Sequence, residues 1–554
     1  MKKANTAGEK AKGQNFLHGA AILTVGVVIM KVLGAVYKIP IGNILGDEGY
    51  SMFISAYNIY NIFFILTTAG LPIALYRLVA EADANGRAKQ EQKLFRVALI
   101  LFAAVGTVFA LIMFFGNEWL ADNYLENPDA ALSIRAMSPA ILLVCLVSAY
   151  RGYCQGNGNM IPTTIDEVLE VLFKVIAGLI FSTVILKAGL GLPMASAGAV
   201  LGVAVGGVVS LAFMVFYKRR NYAVLSAPHT GGADPNDDPD DDDTVDTTGK
   251  IVSDLVRIGI PIAIGSCIMA ILNSVDSKLC MNRLQSAAGF SYLDAKVLYG
   301  VYGKAQTLFN LPAAFITPLT ISVVPAIASA LAKGNESEAG KVSSDSMRIS
   351  AVLSLPMGVG LAVLSFSIMN VIYPGSHESG PALLAVMGIA SFFVCIVLME
   401  NAILQASGKE KLPMYSMVTG SIVKIIVNWF LVAKPNINIY GAPVGTLAGY
   451  AVMAAMNYVF MCRTLRSRPS IVKIFSRPGL SCAVMGAAAW CTFKLMQLFI
   501  GTGTWLKTAC GMCAAILVAV AVYVFAVVKL KAVNSDDMKL IPGGEKVARL
   551  LHMT

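Results

Sequence analysis

The chain has 554 residues, 56% hydrophobic and only 14% charged, with a formal net charge of +10. A soluble chain of this size carries roughly a quarter of its residues as charges, so a water-soluble globular enzyme is excluded. Anionic headgroups at an inner membrane leaflet account for the positive balance, and no nucleic-acid partner is expected.

The N-terminus carries Lys2, Lys3, Lys10 and Lys12 and no small-residue cleavage site, which predicts a cytoplasmic segment (1–15) leading into a retained helix. Apolar runs of about 20 residues, long enough to cross a bilayer, follow from end to end. Fourteen are predicted: 16–37, 51–76, 94–116, 132–154, 168–186, 195–217, 255–281, 303–331, 347–373, 381–406, 413–433, 440–462, 479–499 and 505–528. The expected fold is an all-α integral membrane protein with fourteen transmembrane helices.

Orientation follows from the basic clusters. Arg87, Lys89, Lys93 and Arg96, then Lys218, Arg219 and Arg220, then Arg463, Arg466, Arg468, Lys473 and Arg477 fall on one side. The acidic stretch 117–129, with Glu118, Asp122, Glu126 and Asp129, falls on the other. The positive-inside rule then places both termini in the cytoplasm.

Two segments about 250 residues apart share their landmarks. Gln155, Pro162, Lys174, Gly198, Gly202 and Gly206 are echoed by Gln405, Pro413, Lys424, Gly441, Gly445 and Gly449. A shorter echo links VAEADANG (79–86) with IASALAKG (327–334). Six helices per half leave both halves in one orientation, so two six-helix lobes with pseudo-two-fold symmetry are predicted, at 16–220 and 251–466. Glycine at every fourth position lets helices approach closely. Pro312, Pro318, Pro325 and Pro356 allow bends. The last two spans, within 467–530, have no counterpart, and 531–554 is expected to be a cytoplasmic tail.

Between the halves, 221–250 contains GGADPNDDPDDDDTVDTT, an acidic segment that cannot bury a core and is expected to be a disordered cytoplasmic linker. Its Asp240 to Asp243 run has no folded domain to make it a metal site. The C-x-x-C of Cys510 and Cys513 lies within the last span and reads as packing. The four histidines are isolated, so no metal and no cofactor are expected.

Ionisable residues inside spans are costly and tend to face a cavity or a partner. Lys31 and Lys38 share one face of the first helix. Asp276 and Lys278 lie toward the outer end of the seventh, and Lys304 begins the eighth. Lys174 and Lys424 lie near mid-depth, with Glu170 one turn from Lys174, where a local ion pair is expected. Lys424 shares its face with Ser421 and Asn428, and Glu400 lies inward on the tenth. Lys38, Lys278, Lys304 and Lys494 either snorkel to headgroups or line a cavity. Lys31 and Lys424 are deeper, and a cavity role is expected. Together these lysines suit an anionic substrate such as a phosphate or diphosphate.

The stretches MKVLGAVYKIPIGNILGDEGYSMF (30–53), Gly70-Leu71-Pro72 and LFNLPAAFITPLTISVVPAIA (308–328) resemble the MOP (multidrug/oligosaccharidyl-lipid/polysaccharide) exporter superfamily. The similarity is to its polysaccharide-biosynthesis branch, which contains MurJ-type lipid II flippases and stage V sporulation protein B. The resemblance implies two lobes around a central cavity, and a groove for a polyprenyl tail on helices thirteen and fourteen. Lys31 matches a cation that precedes V-L-G in that pattern. Tyr37-Lys38 stands where the family has Arg-Asp, Lys304 lies about one turn from the eighth-helix arginine position, and the helix-two arginine has no match.

The expected function is therefore a flippase, not an enzyme, in a bacterial plasma membrane. It would carry undecaprenyl-diphosphate-linked peptidoglycan precursor, lipid II, from inner to outer leaflet by alternating access. Its expected partners are a polyprenyl-diphosphate-linked glycan, membrane lipids, a monovalent coupling ion and cell-wall synthesis proteins. The alternatives are export of another polyprenyl-linked oligosaccharide, then an ion-coupled multidrug exporter using Asp276, Glu170 or Glu400. A membrane glycosyltransferase comes last, since the longest outer loop is only about 282–302. No Walker A sequence is present to use ATP.

Overall fold

A computed structural model describes residues 2–220, 245–465, 470–501, 504–530 and 532. The acidic run of the linker, the 531–554 tail apart from Ala532 and the side chains of 1–15 lie outside the described residues. The described chain is all-helical. In chain order its principal helices are α1 (Lys2–Thr68), α2 (Leu71–Ala84), α3 (Ala88–Phe115), α4 (Ala131–Gly156), α5 (Ile161–Lys187), α6 (Leu192–Arg220), α7 (Thr248–Ser286) and α8 (Tyr292–Phe309). They continue as α9 (Leu311–Ala332), α10 (Glu336–Val363), α11 (Ser365–Ile372), α12 (Gly380–Ala406), α13 (Lys411–Leu431), α14 (Gly441–Thr464), α15 (Ile471–Ile500) and α16 (Trp505–Lys529).

Among the described residues, twelve helical stretches are long and apolar enough to span a membrane. The other two predicted spans, 16–37 and 255–281, lie on α1 and α7, which contain side chains outside the described set. Large apolar side chains point outward along these helices: Ile100 on α3 is 71% exposed and Leu517 on α16 is also 71% exposed. In water such faces would aggregate, whereas in lipid they are the correct outer surface.

α1 is two helices joined at a corner. Gly46 has φ 67° and ψ −169°, a backbone region that side-chain-bearing residues avoid, so the chain turns sharply between Leu45 and Asp47. The chain divides into two compact units. Unit one is 1–37 with 52–277, and unit two is 38–51 with 278–554. The segment that follows Tyr37 and contains the Gly46 corner thus packs as part of unit two.

The sequence repeat is a packing repeat. In unit one α6 lies against α5 through glycines: a Cβ at Gly202 would stand 2.6 Å from the Gly178 nitrogen and the Lys174 carbonyl. A Cβ at Gly206 would collide with the Glu170 carbonyl. In unit two α14 lies against α13 in the same way, with Gly449 against the Gly420 carbonyl and Gly445 against Asn428. The glycines remove the side chains that would keep these backbones apart. Gly202→Leu is therefore expected to destabilise unit one by about 1–3 kcal/mol, the usual cost of overpacking. Thermal unfolding of the purified protein in detergent would check this; an unchanged midpoint would show that α5 and α6 can separate freely.

α16 is hydrogen-bonded into unit two. Tyr523 Oη donates to the Val352 carbonyl at 2.6 Å, and Trp505 Nε1 donates to the Val371 carbonyl at 3.0 Å. The core of unit two is an apolar cluster that includes Ile316, Leu319, Met347, Met399 and Met453 from α9, α10, α12 and α14.

Candidate functional site

α8 carries Lys296, Gly300 and Lys304 at four-residue spacing, hence on one face. The chain just past the Gly46 corner docks on that face. Lys304 Nζ bonds Asp47 Oδ1 at 2.6 Å, and Lys296 Nζ bonds Glu48 Oε1 at 2.7 Å. Between the two lysines Gly300 lets the backbones touch, since a Cβ there would overlap the Asp47 carbonyl. Ser376 Oγ donates to Asp47 Oδ1 at 2.7 Å, and the His377 backbone N–H donates to Oδ2 at 2.8 Å. Asn43 Nδ2 adds a bond to the Ile372 carbonyl at 2.8 Å, and Tyr50 shares a hydrogen bond with Thr307 at 2.8 Å. Lys304 is thus buried, 3% exposed at its side chain, and held by a carboxylate.

A second polar cluster ties three helices of unit one. Arg151 on α4 reaches Asp166 and Glu170 on α5, each at 2.6 Å, and Glu167 at 3.9 Å. Ser210 on α6 donates to Asp166. Glu170 was expected to pair with Lys174, but its partner is Arg151. The guanidinium fork spans Asp166 and Glu170, one turn apart, which an ammonium on the same helix cannot do. Lys174 is half-buried, with its Cβ in the groove left by Gly206.

The repeat carries this cluster into unit two with its charges removed. Arg151 corresponds to Asn401 and Asp166 to Ser416, by the offset that relates Gln155 to Gln405. On α12, α13 and α14, Asn457 donates to Asn401 at 2.8 Å and Ser416 donates to Asn457. Each unit therefore joins three helices through polar side chains, with one from each helix in unit two and three acids from α5 in unit one.

The remaining predicted residues are placed as follows. The Lys31 side chain lies outside the described residues. Lys38 and Lys278 are half-buried in unit two, and Asp276 is buried in unit one. Lys424 is half-buried with its Cβ over Gly449, beside buried Ser421 and Asn428. Glu400 is 1% exposed, and its Oε2 has no hydrogen-bond partner. Lys494 is exposed. Asp47, Glu48, Lys296 and Arg151 escaped the sequence reading, although the K-x3-G-x3-K spacing of 296–304 was a usable signal.

Unit two also holds an apolar groove of about 440 Å³. Phe315 of α9, Met357 and Leu361 of α10, Met485 of α15 and Ile516 and Val520 of α16 line it.

The polysaccharide biosynthesis protein family matches residues 16–331, more than half of the chain. The chain belongs to this family. It falls in the polysaccharide-biosynthesis branch of the MOP superfamily, and a MatE family match covers 261–430. Three relatives from Bacillus subtilis (strain 168) show how this branch is populated. The uncharacterized membrane protein YabM is 26% identical, over 96% of each chain. Stage V sporulation protein B is 24% identical, over 96% of this chain and 98% of its own. Lipid II flippase MurJ is 25% identical, over 88% of this chain and 89% of its own. The fold is shared with an inward-facing multidrug resistance MATE family transporter, at TM-score 0.60 and 14% identity. That likeness covers 80% of this chain and 98% of the transporter. This member of the branch is thus a multi-pass membrane protein of the flippase and transporter type.

Proposed function

We propose that the chain moves a polyprenyl-diphosphate-linked glycan, with lipid II the first candidate, from the inner to the outer leaflet of the plasma membrane. The groove carries this reading. Its apolar lining among α9, α10, α15 and α16 suits a lipid tail, not a soluble drug or a free sugar. The lysines at 31, 38, 278, 304 and 424 supply cations for the diphosphate, and the similarity to MurJ and stage V sporulation protein B supports the substrate class. No bond changes. An inside-negative potential favours outward movement of negative charge by about 2.3 kcal/mol per charge per 100 mV. Depletion of the protein with measurement of lipid II in each leaflet tests the reading. Accumulation in the inner leaflet is expected; accumulation of a different lipid-linked glycan would move the substrate to the first alternative.

The orientation keeps both termini and the linker in the cytoplasm. In a cysteine-free variant of otherwise intact cells, D122C is expected to react with an impermeant maleimide and D238C to remain unlabelled. Labelling at position 238 reverses the orientation.

Glu400 is our candidate for the coupling-ion site, because a buried carboxylate oxygen without a partner invites a proton or a monovalent cation. Glu400→Gln is expected to fold normally and to flip at a rate that no longer responds to the ion gradient. Retention of the wild-type gradient dependence would remove Glu400 from the coupling step.

A further inference from the structure

The Asp47 carboxylate is held by an ammonium, a hydroxyl and a backbone N–H, from Lys304, Ser376 and His377. Those are the donors with which proteins hold phosphate oxygens, and charge-assisted bonds of this kind are the strong ones. All three converge from unit two, whereas Asp47 arrives on a segment that continues on both sides into unit one. The donors are also buttressed independently of Asp47. Lys304 Nζ lies 5.2 Å from the Tyr373 ring centroid, and His377 Nδ1 accepts the Ser379 backbone N–H at 3.2 Å. Asp47 in turn is positioned by its neighbours, through Glu48 on Lys296 and the glycine corner behind it.

The geometry points to a phosphate subsite built from Lys304, Ser376 and the His377 amide, which Asp47 occupies as an internal competitor. This rests on the reading of the chain as a carrier of diphosphate-linked lipid, and it adds a residue that opposes binding. A carboxylate and a phosphate cannot share the three donors. A phosphate group therefore enters only when Asp47 leaves, and departure of the phosphate lets Asp47 return. The empty carrier keeps Lys304 paired, which avoids the cost of an unpaired buried cation.

Binding by the full chain in lipid nanodiscs tests the proposal without any transport step. Inorganic pyrophosphate and undecaprenyl diphosphate are titrated separately into wild type, Asp47→Asn and Asp47→Ala. At least one ligand is expected to bind the Asp47 variants about ten-fold more tightly, a typical effect of one charged hydrogen-bond partner. Adding Lys304→Gln to Asp47→Asn is expected to abolish that gain, and adding Ser376→Ala to reduce it. A gain for both ligands assigns the subsite to any diphosphate; a gain for the lipid alone assigns it to the lipid headgroup. Equal affinities in wild type and both Asp47 variants overturn the proposal, as does a gain that survives Lys304→Gln. The isosteric Asn variant guards against misfolding of the Ala variant. Because binding is read directly, a tighter Asp47→Asn alongside a normal leaflet distribution of lipid II in cells depleted of the protein would retain the subsite and discard the lipid II flippase reading.

Discussion

Arg151→Leu is expected to be the most damaging single substitution in the chain, lowering stability by about 3–5 kcal/mol. The change removes the cation that bridges Asp166, which is fully buried, and Glu170, which is 16% exposed at its side chain. Two carboxylates then remain in a low-dielectric interior without compensation, and that penalty exceeds the value of the pair itself. Arg151→Lys should be intermediate, since one ammonium cannot reproduce the fork to both acids. Combining Arg151→Leu with Asp166→Asn and Glu170→Gln should recover most of the loss by removing the stranded charges. Protein level in membranes and the thermal midpoint in detergent provide the measurement. A wild-type midpoint for Arg151→Leu would mean that the cluster contributes nothing to stability.

Lys31→Gln is expected to give the largest loss of transport. On the proposed reading, in which Lys31 binds the diphosphate, removing its charge takes away one charge-assisted hydrogen bond worth about 1.5–3 kcal/mol, or roughly ten- to one-hundred-fold in transport. Lys31→Arg keeps the charge and should retain more activity. Lys494→Ala, at an exposed position on α15, should flip at the wild-type rate. The readout is outer-leaflet lipid II in cells that depend on each variant, normalised to membrane protein level. Equal rates for Lys31→Gln and wild type would end the cationic-cavity account and favour a neutral or cationic cargo.

The helical membrane architecture was legible because bilayer thickness imposes length and hydropathy on every span. The glycine faces of α6 and α14 were legible for a similar reason, since close approach repeats along a helix and leaves a period. Partners from different helices leave none. Glu170 was paired with Lys174 because local spacing reveals only neighbours on the same helix, whereas Arg151 lies nineteen positions away on α4. Asp47 was passed over as part of a short connection, and its partner Lys304 is 257 positions distant. The internal repeat gave a route to the unit-one cluster. Comparing Arg151 and Asp166 with Asn401 and Ser416 marks both pairs as polar positions on two successive helices of each half, before any contact is seen.

That comparison bears on how the chain enters the membrane during synthesis. An arginine or an aspartate at the centre of a helix costs about 2.5–3.5 kcal/mol on insertion, and less toward the ends. α4 and α5 carry Arg151, Asp166, Glu167 and Glu170 toward their adjoining ends, so each alone bears part of that cost. Released together as a hairpin, they neutralise much of that burden through the Arg151 fork. α12 and α13 carry Asn401 and Ser416 at the matching positions and face no such requirement there. At these positions the first half thus bears an insertion cost that the pairing of successive helices relieves, whereas Glu400 of α12 and Lys424 of α13 lie elsewhere.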